Sequence, residues 1–183
     1  MSFITTHSGR SVHLANPMPW MIQAEDIGLA LSRICRFGGH TIAHYSVAQH
    51  SYLASMFVPE EHQLTALLHD ATEAYLGDMV SPLKALLPEY KRIEGRLWRV
   101  IAERFGAQVE MPWCVHNIDL ILLATERRDL LNDQGLEWPC LRGVGPLPIT
   151  IEPWSMEDAN RHWMRRFHEL QAERGTAPTR AAS

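Results

Sequence analysis

The chain has 183 residues, of which 46% are hydrophobic and 21% are charged, and its formal net charge is −4. This length and composition suit one soluble domain with a substantial core and exclude a disordered chain. Because the sequence has no excess of basic residues, a nucleic-acid polymer is not favoured as a partner.

The cysteines and the N-terminus indicate the cellular compartment. Cys35, Cys114 and Cys140 form no CxxC pair, which argues against a disulfide framework and against a structural zinc site. The first residues contain no apolar signal segment, and no stretch of the sequence is long enough to span a bilayer. We therefore expect a cytoplasmic protein without a membrane partner.

The first part of the chain predicts a small β-hairpin followed by helices. Residues 3–14 form two short extended runs around the turn-prone pair Ser8 and Gly9. Apolar residues then recur at the spacing of amphipathic helices. The helices predicted in this part run over about 25–36, 46–57 and 61–76.

The second part is predicted to be helical on both sides of a long loop. Glycine and proline are frequent over 133–153, which predicts the loop. Further helices are predicted over 82–87, over 88–105, from 112 onward and over 155–172. We expect one all-α domain over 1–174, a helical bundle with a short N-terminal β-hairpin, and a flexible tail over 175–183.

One predicted helix carries three residues that suit metal chemistry. His69, Asp70 and Glu73 lie within four positions of one another, so their side chains can converge on one point. An unpaired histidine and aspartate would be costly to bury in an apolar helix, and a divalent cation would offset that cost. The alternative is a buried pair satisfied by neighbouring hydrogen bonds.

Two residues outside this helix are candidate partners of the pair. His50 lies on the preceding predicted helix, which can pack antiparallel to the next and bring its imidazole beside His69. Alone, a histidine in this position is more often a surface or capped residue than a ligand. Asp119 is flanked by apolar residues and needs a buried partner. That partner is either a metal ion or an arginine such as Arg33 or Arg36. Two imidazoles and two carboxylates together suit a divalent ion such as Mn, Co, Zn, Fe or Ni.

Five separated sequence blocks resemble one known enzyme family. The block at 67–84 reads LLHDATEAYLGDMVSPLK, and the block at 46–51 reads SVAQHS. The sequence CRFGG around residue 36, EYKRIE at 89–94 and the helix of Asp119 extend the likeness over 25–130. The chain resembles the HD-domain nucleotide hydrolases, and within them the bacterial 5'-deoxynucleotidases and the phage dATP triphosphohydrolases.

The resemblance implies an HD-domain fold, one divalent metal ion (Mn, Co, Zn, Fe, Ni or Mg) and hydrolysis of a free deoxynucleotide. The metal ligands that it implies are His50, His69, Asp70 and Asp119. Glu73 and Asp78 would hold or activate the attacking water and contact the sugar. Arg36 and Lys84 would contact phosphate. Lys84 is one of two lysines and follows an acidic cluster, so its charge also indicates contact with an anion.

Two features bear on the substrate that the resemblance implies. Related enzymes commonly carry tryptophan after the arginine, where this chain has Phe37. Phe37 would lie near the sugar, so this departure leaves the choice between deoxyribose and ribose open. The N-terminal hairpin looks more like the phage enzymes, which favours dATP hydrolysed to deoxynucleoside and triphosphate over dNMP hydrolysed to deoxynucleoside and phosphate. We expect a homodimer or a larger homo-oligomer.

Other interpretations stay open at this point. The HD centre also serves phosphodiesterases and alarmone hydrolases, whereas a diiron oxygenase would need more ligands than the sequence offers. From a different class, the chain could be a catalytically silent helical regulator that binds nucleotides. His116 is the best candidate for a supporting role beside a ligand. Trp138, Trp154 and Trp163 are interpreted as packing anchors rather than platforms for a base.

Overall fold

The computed structural model describes residues 3–176, with side chains to residue 174, and is mostly helical with one small sheet. The strands are β1 (Phe3–Thr5) and β2 (Ser11–His13). The α-helices in chain order are α1 (Ala24–Arg33), α2 (Val47–Met56), α3 (Gln63–Leu68), α4 (Glu73–Leu76), α5 (Ser81–Lys84), α6 (Pro88–Phe105), α7 (Trp113–Leu130) and α8 (Met156–Thr176). The predicted helical class with an N-terminal hairpin is thereby confirmed.

The hairpin is antiparallel and is fastened to the first helix. Ile4 pairs with Val12, whose side chain is fully buried. In the turn, the backbone N–H of Ser8 donates to Asp26 Oδ1 at 2.8 Å, and its hydroxyl donates to Asp26 Oδ2 at 2.7 Å. These two bonds satisfy a buried carboxylate on α1 and hold the hairpin against the helical body.

The first helix ends three residues earlier than predicted. It stops at Arg33, because the chain beyond it is extended and pairs with the start of α2. The backbone N–H of Arg36 donates to Tyr45 O at 2.9 Å, and that of Val47 donates to Ile34 O at 3.1 Å. Phe37, which follows Arg36, has a φ of 56°, a left-handed conformation that is rare for a residue with a side chain.

The single helix predicted over 61–76 is wrong, because the segment is divided. After α3 ends at Leu68, the backbone tightens before α4 begins at Glu73. The N–H of Ala71 donates to Leu68 O at 2.8 Å and that of Glu73 to Asp70 O at 3.0 Å. These bonds span three residues, as in a 3₁₀ turn, instead of four. His69 and Asp70 therefore lie in a tight turn between two helices.

The main core lies between α1, α2, α3 and α8. Gly28 of α1 allows α8 to approach closely, since a Cβ there would lie 2.8 Å from the Trp163 ring and 2.9 Å from Met164 Sδ. Trp163 and Leu67 are fully buried in this cluster. Helix α2 is consequently enclosed by its neighbours, so polar side chains on it need partners inside the protein.

In the second part of the chain, α5 ends at Lys84, three residues before the predicted end at 87, whereas α6 has its predicted limits. Helix α6 ends at Gly106, whose φ of 74° is suited to glycine. The predicted loop connects α7 to α8 and contains a 3₁₀ turn at Pro139–Leu141. Helix α8 extends to Thr176, and the rest of the tail predicted over 175–183 lies outside the described residues.

The loop is fastened to the last turns of α7 and to α2. Arg128 of α7 donates to Leu147 O at 2.9 Å, and Asp129 accepts from the N–H of Ile151 at 2.9 Å. From α2, the side-chain amide of Gln49 donates to Glu152 O at 2.8 Å and accepts from the N–H of Trp154 at 2.9 Å. Among the helices of 3–176, none combines the length and hydropathy needed to cross a membrane.

Candidate metal centre

Three helical segments bring two imidazoles and a carboxylate together. His50 Nε2 of α2 lies 3.3 Å from His69 Nε2, which follows α3, and 3.2 Å from Asp119 Oδ1 of α7. The distance from His69 Nε2 to Asp119 Oδ1 is 4.0 Å. Ser46 helps to position His50, because its hydroxyl caps α2 by accepting from the N–H of Gln49.

This group fits a divalent metal ion. Donor atoms that bind one ion at about 2.1 Å are expected to lie about 3 to 4 Å apart, and the three donor atoms here all lie within 4.8 Å of one another. Imidazole and carboxylate ligands suit Zn, Mn, Fe, Co and Ni. The group of His50, His69 and Asp119 can therefore hold a metal ion, as the sequence predicted for these residues.

Asp70 lies beside this group. Its Oδ2 atom is 3.3 Å from His69 Nε2 and 3.6 Å from His50 Nε2. The same oxygen lies 3.4 Å from Nη1 of Arg36, so it is shared between the two imidazoles and a guanidinium. The structure thus brings Asp70 to the metal group, and its assignment as a fourth ligand stays a prediction.

Both imidazoles are held through Nδ1, with Nε2 facing the candidate metal position. His50 Nδ1 lies 2.6 Å from Glu126 Oε1, and His69 Nδ1 lies 2.8 Å from the carbonyl of Ala66. Because a carboxylate and a carbonyl accept hydrogen bonds, Nδ1 is the donor in each ring, so the neutral form of each imidazole offers its Nε2 lone pair to a metal. In the tight turn, the hydrogen bond from His69 Nδ1 to Ala66 thus orients the ring so that Nε2 faces the candidate metal position.

Glu126 is the site residue that the sequence reasoning missed. It is completely buried on α7, where Oε1 accepts from His50 and Oε2 accepts from Arg36 at 3.1 Å and 3.3 Å. One carboxylate thus orients both an imidazole and a guanidinium. A signal was present, since Glu126 follows Asp119 by seven residues and so lies on nearly the same face of the helix.

The alternative partners considered for Asp119 are wrong. Arg36 forms its ion pairs with Asp70 and Glu126, and Arg33 is exposed. Burial acts to raise the pKa of Asp119, but hydrogen bonding to His50 and its charge outweigh burial and hold that pKa well below its ordinary value. Asp119 is therefore an anion that faces the two imidazoles.

The electrostatics of His50 reflect its enclosed position. Burial and the charge of Arg36 act to lower its pKa, whereas Glu126 and Asp119 act to raise it. The carboxylates prevail, and the pKa of His50 is raised to about 9. Without a metal, His50 is thus protonated, and its positive charge takes the place of the metal cation between these carboxylates.

A cavity of about 820 Å³ opens beside the metal group. This size is within the usual range for a small-molecule site. Seven of the residues predicted from the sequence line it, namely Arg36, Phe37, Asp70, Glu73, Asp78, Lys84 and Asp119. His50 and His69 are less accessible and lie behind this wall.

Two acids of the cavity, Glu73 and Asp78, have raised pKa values. Burial is the main cause for Glu73, and repulsion by Asp70 and Asp78 adds to it. Its Oε2 atom has no hydrogen-bond partner within the described part of the chain. Burial is also the largest cause for Asp78. A raised pKa suits a carboxylate that exchanges protons.

The two cations of the cavity are both paired. Burial acts to lower the pKa of Arg36, but Glu126 and Asp70 outweigh it and raise that pKa. Lys84 Nζ lies 2.7 Å from Glu94 Oε1, a contact that the sequence did not predict. Phe37 lies beside Arg36, whose guanidinium carbon is 5.5 Å from the ring centroid.

The remaining predictions on aromatic residues had different outcomes. Trp163 is a buried packing residue, as predicted, and Trp154 packs edge-on against Tyr52 at 5.1 Å. Trp138 instead lines the cavity. His116 also lines it and is exposed.

Two proteins with similar sequences are both described as uncharacterized. No protein-family model matches the sequence. An uncharacterized protein of Rhodobacter capsulatus is 39% identical over 115 residues, which cover 57% of this chain and 59% of that protein. The uncharacterized protein YfdR of Escherichia coli K12 is 45% identical over 178 residues, which cover 97% of this chain and all of YfdR. The chain belongs to the family of YfdR.

Proposed function

We propose that this protein is a divalent-metal-dependent phosphohydrolase of the HD-domain type that acts on free deoxynucleotides. The observation that carries the proposal is the convergence of His50, His69 and Asp119 beside a large cavity that also contains Arg36 and Lys84. A metal group supplies an electrophile, and the two cations suit a phosphate. The resemblance of the sequence to HD-domain nucleotide hydrolases agrees with this combination.

The ligand set and the acids divide the chemistry between them. His50, His69 and Asp119, with Asp70 as a fourth ligand, would hold a divalent ion, which when bound would supply a Lewis acid for a phosphoryl oxygen and lower the pKa of a water molecule. Glu73 Oε2 is the atom to accept the proton of the attacking water, since it is buried, has a raised pKa and lacks a partner among the described residues. Asp78 accepts a second hydrogen bond from this water or from the sugar.

The cations neutralise the charge that develops on the phosphoryl group. Arg36 is fixed by Glu126 and Asp70 on two sides of its guanidinium, so its orientation costs little when a phosphate arrives. Lys84 of α5 lines the same cavity and forms an ion pair with Glu94 of α6. Burial acts to lower the pKa of Lys84, but Glu94 raises it, so the ammonium group stays charged.

The charge of the cavity favours a monophosphate as substrate. Acidic side chains outnumber the basic ones in its lining, and both basic ones are already paired. A triphosphate brings more negative charge than a monophosphate and would be repelled more strongly. We therefore place dNMP, hydrolysed to deoxynucleoside and phosphate, ahead of dATP, which the hairpin resemblance favours. Phe37 on the cavity wall is the candidate contact for the sugar.

The test is a turnover assay that identifies the phosphate product. Purified protein is incubated with dNMPs, dNTPs and their ribose counterparts under Mn, Co, Zn, Ni, Fe and Mg. Release of inorganic phosphate from dNMP is expected, whereas triphosphate from dATP would identify the triphosphohydrolase. Cyclic dinucleotides and an alarmone are included as competitors. If no nucleotide is hydrolysed with any metal, the proposal fails.

A matched pair of variants separates metal chemistry from folding. Asp119→Asn removes a ligand charge and is expected to lower kcat by at least about a hundredfold. Asp158→Asn changes an exposed acid on α8, which pairs with Arg161, and is expected to retain activity. If metal is absent from the purified protein and Asp119→Asn binds nucleotides unchanged, the protein is a regulator instead of an enzyme.

A further inference from the structure

The side chains that α7 contributes to the cavity wall change from acidic to apolar along the helix. Asp119 lies at the acidic end, whereas Leu120 and Leu123 are the next wall residues toward the C-terminus of this helix. Residues three and four positions apart lie on one face of a helix, so these side chains form a continuous strip. The strip runs along α7 from the metal group to apolar side chains, and Trp138, which also lines the cavity, lies against Arg127 one turn beyond Leu123.

Trp138 is held in place by the helix beneath it. The guanidinium carbon of Arg127 lies 4.9 Å from the centroid of the Trp138 ring. Arg127 Nε also donates to Asp133 Oδ2 at 2.9 Å, and another of its nitrogens donates to the carbonyl of Leu136. One arginine thus holds three points of the loop, so the ring is oriented before any ligand arrives.

The spacing along α7 defines what can reach the ring. Asp119 and Arg127 are separated by eight residues, which correspond to roughly 12 Å of helix axis. A phosphate held beside Asp119 is too small to touch a ring stacked over Arg127. A flat group joined to the phosphate through a sugar spans that distance, with Leu123 halfway along the path.

We propose that Trp138, with Leu120 and Leu123, forms a subsite that stacks a planar heteroaromatic ring. This inference rests on the proposed function, because the phosphate of the same molecule is assigned to the metal end. The Arg127 cation covers one face of the indole, and the cavity side of the ring receives the ligand. Trp138 is therefore a substrate contact and is more than a packing anchor.

The subsite is expected to accept different bases with similar affinity. The acid at this end, Glu137, lies 2.8 Å from Arg142 and is thereby engaged with the loop itself. Stacking uses the π face that every base has, whereas discrimination between bases needs fixed hydrogen-bond partners. Purine and pyrimidine nucleosides should consequently bind alike within a few-fold.

The test uses ligands that cannot be hydrolysed. Calorimetry compares deoxyadenosine and thymidine with inorganic phosphate in the presence of Mn²⁺, for wild type, Trp138→Ala and Trp138→Phe. Trp138→Ala is expected to weaken both nucleosides roughly tenfold or more and to leave phosphate unchanged. Trp138→Phe keeps a ring and should retain most of the affinity while losing tryptophan quenching by the nucleoside. Trp113→Ala, an exposed tryptophan at the start of α7, is the matched control.

Each outcome bears on one of the two proposals. If Trp138→Ala weakens phosphate as much as the nucleosides, the residue supports the loop and the stacking proposal is overturned. If wild type hydrolyses dNMP but binds nucleosides no better than Trp138→Ala does, the subsite fails while the proposed function stands. If nucleosides bind through Trp138 but no nucleotide is hydrolysed with any metal, the subsite stands and the phosphohydrolase fails.

Discussion

Replacing Glu126 by glutamine tests whether one buried carboxylate holds the metal ligand and the phosphate ligand together. Glutamine has the same shape, but its amide presents one acceptor and one donor. Its oxygen can therefore accept from His50 or from Arg36, and its NH₂ group meets a donor on the other side. The variant loses one charged hydrogen bond. Of the two carboxylates that form ion pairs with buried Arg36, Asp70 is then the one that remains.

The expected cost follows from these contacts. Loss of a charged hydrogen bond together with partial loss of a buried ion pair corresponds to about 3 kcal/mol of unfolding free energy. Because the imidazole of His50 is no longer fixed, we also expect Mn²⁺ affinity to fall roughly 10- to 100-fold. Urea unfolding measures the first quantity in metal-free protein, and calorimetry with Mn²⁺ and no substrate measures the second.

Asp26→Asn is the matched control, since it also alters a buried carboxylate that accepts two hydrogen bonds. It lies under the hairpin, away from the metal group, and should lower stability without changing Mn²⁺ affinity. If Glu126→Gln binds Mn²⁺ as tightly as wild type does, or if Asp26→Asn weakens Mn²⁺ equally, the positioning role of Glu126 is refuted.

Further predictions concern protons, metal, backbone and phosphate. Because the pKa of His50 is raised to about 9, its protonation stabilises the metal-free protein most fully below its unfolded pKa. This stability is lost as pH rises through about 9, while Mn²⁺ affinity rises over the same range, as fluorescence unfolding and calorimetry can measure. Mn²⁺ at a hundred times its Kd should add about 2.7 kcal/mol of unfolding free energy, an effect that chelation and Asp119→Asn remove. Gly77→Ala should cost about 1 to 3 kcal/mol in urea unfolding despite open space around the Cα, because φ of 80° and ψ of 156° suit glycine alone. Lys84→Ala should raise the Kd for inorganic phosphate roughly tenfold in calorimetry, whereas Glu94→Gln should change it less than about threefold.

The limits of a helix could be predicted from the sequence where a single periodic pattern of apolar residues ran between clear end signals. Helix α6 has the predicted limits because Pro88 and Gly106 mark its ends and its apolar stripe is regular. The acid at Asp119 was recognised because its neighbours are apolar. His50 and His69 were brought together by the packing of consecutive helices, as expected from a short connection.

The division at His69 could not be predicted from periodicity. Apolar residues continue at helical spacing through this segment, and the break coincides with a side-chain hydrogen bond from His69 to the carbonyl of Ala66. The place of Trp138 was also beyond the sequence, since it depends on where Arg127 holds the loop. Glu126 was overlooked although its position relative to Asp119 could have indicated it. The predicted oligomer stays a prediction that sedimentation can test.

The attachment of the loop by Gln49 has a consequence for how such a protein can diverge. Gln49 immediately precedes the metal ligand His50, and its side chain binds the loop at Glu152 and Trp154. The end of the loop is therefore attached to α2 directly beside a metal ligand, whereas Arg127 of α7 holds the stretch around Trp138. Insertions or deletions between these two attachments can reshape the wall of the cavity without shifting a metal ligand. Substrate range and metal binding can thus evolve separately in this fold.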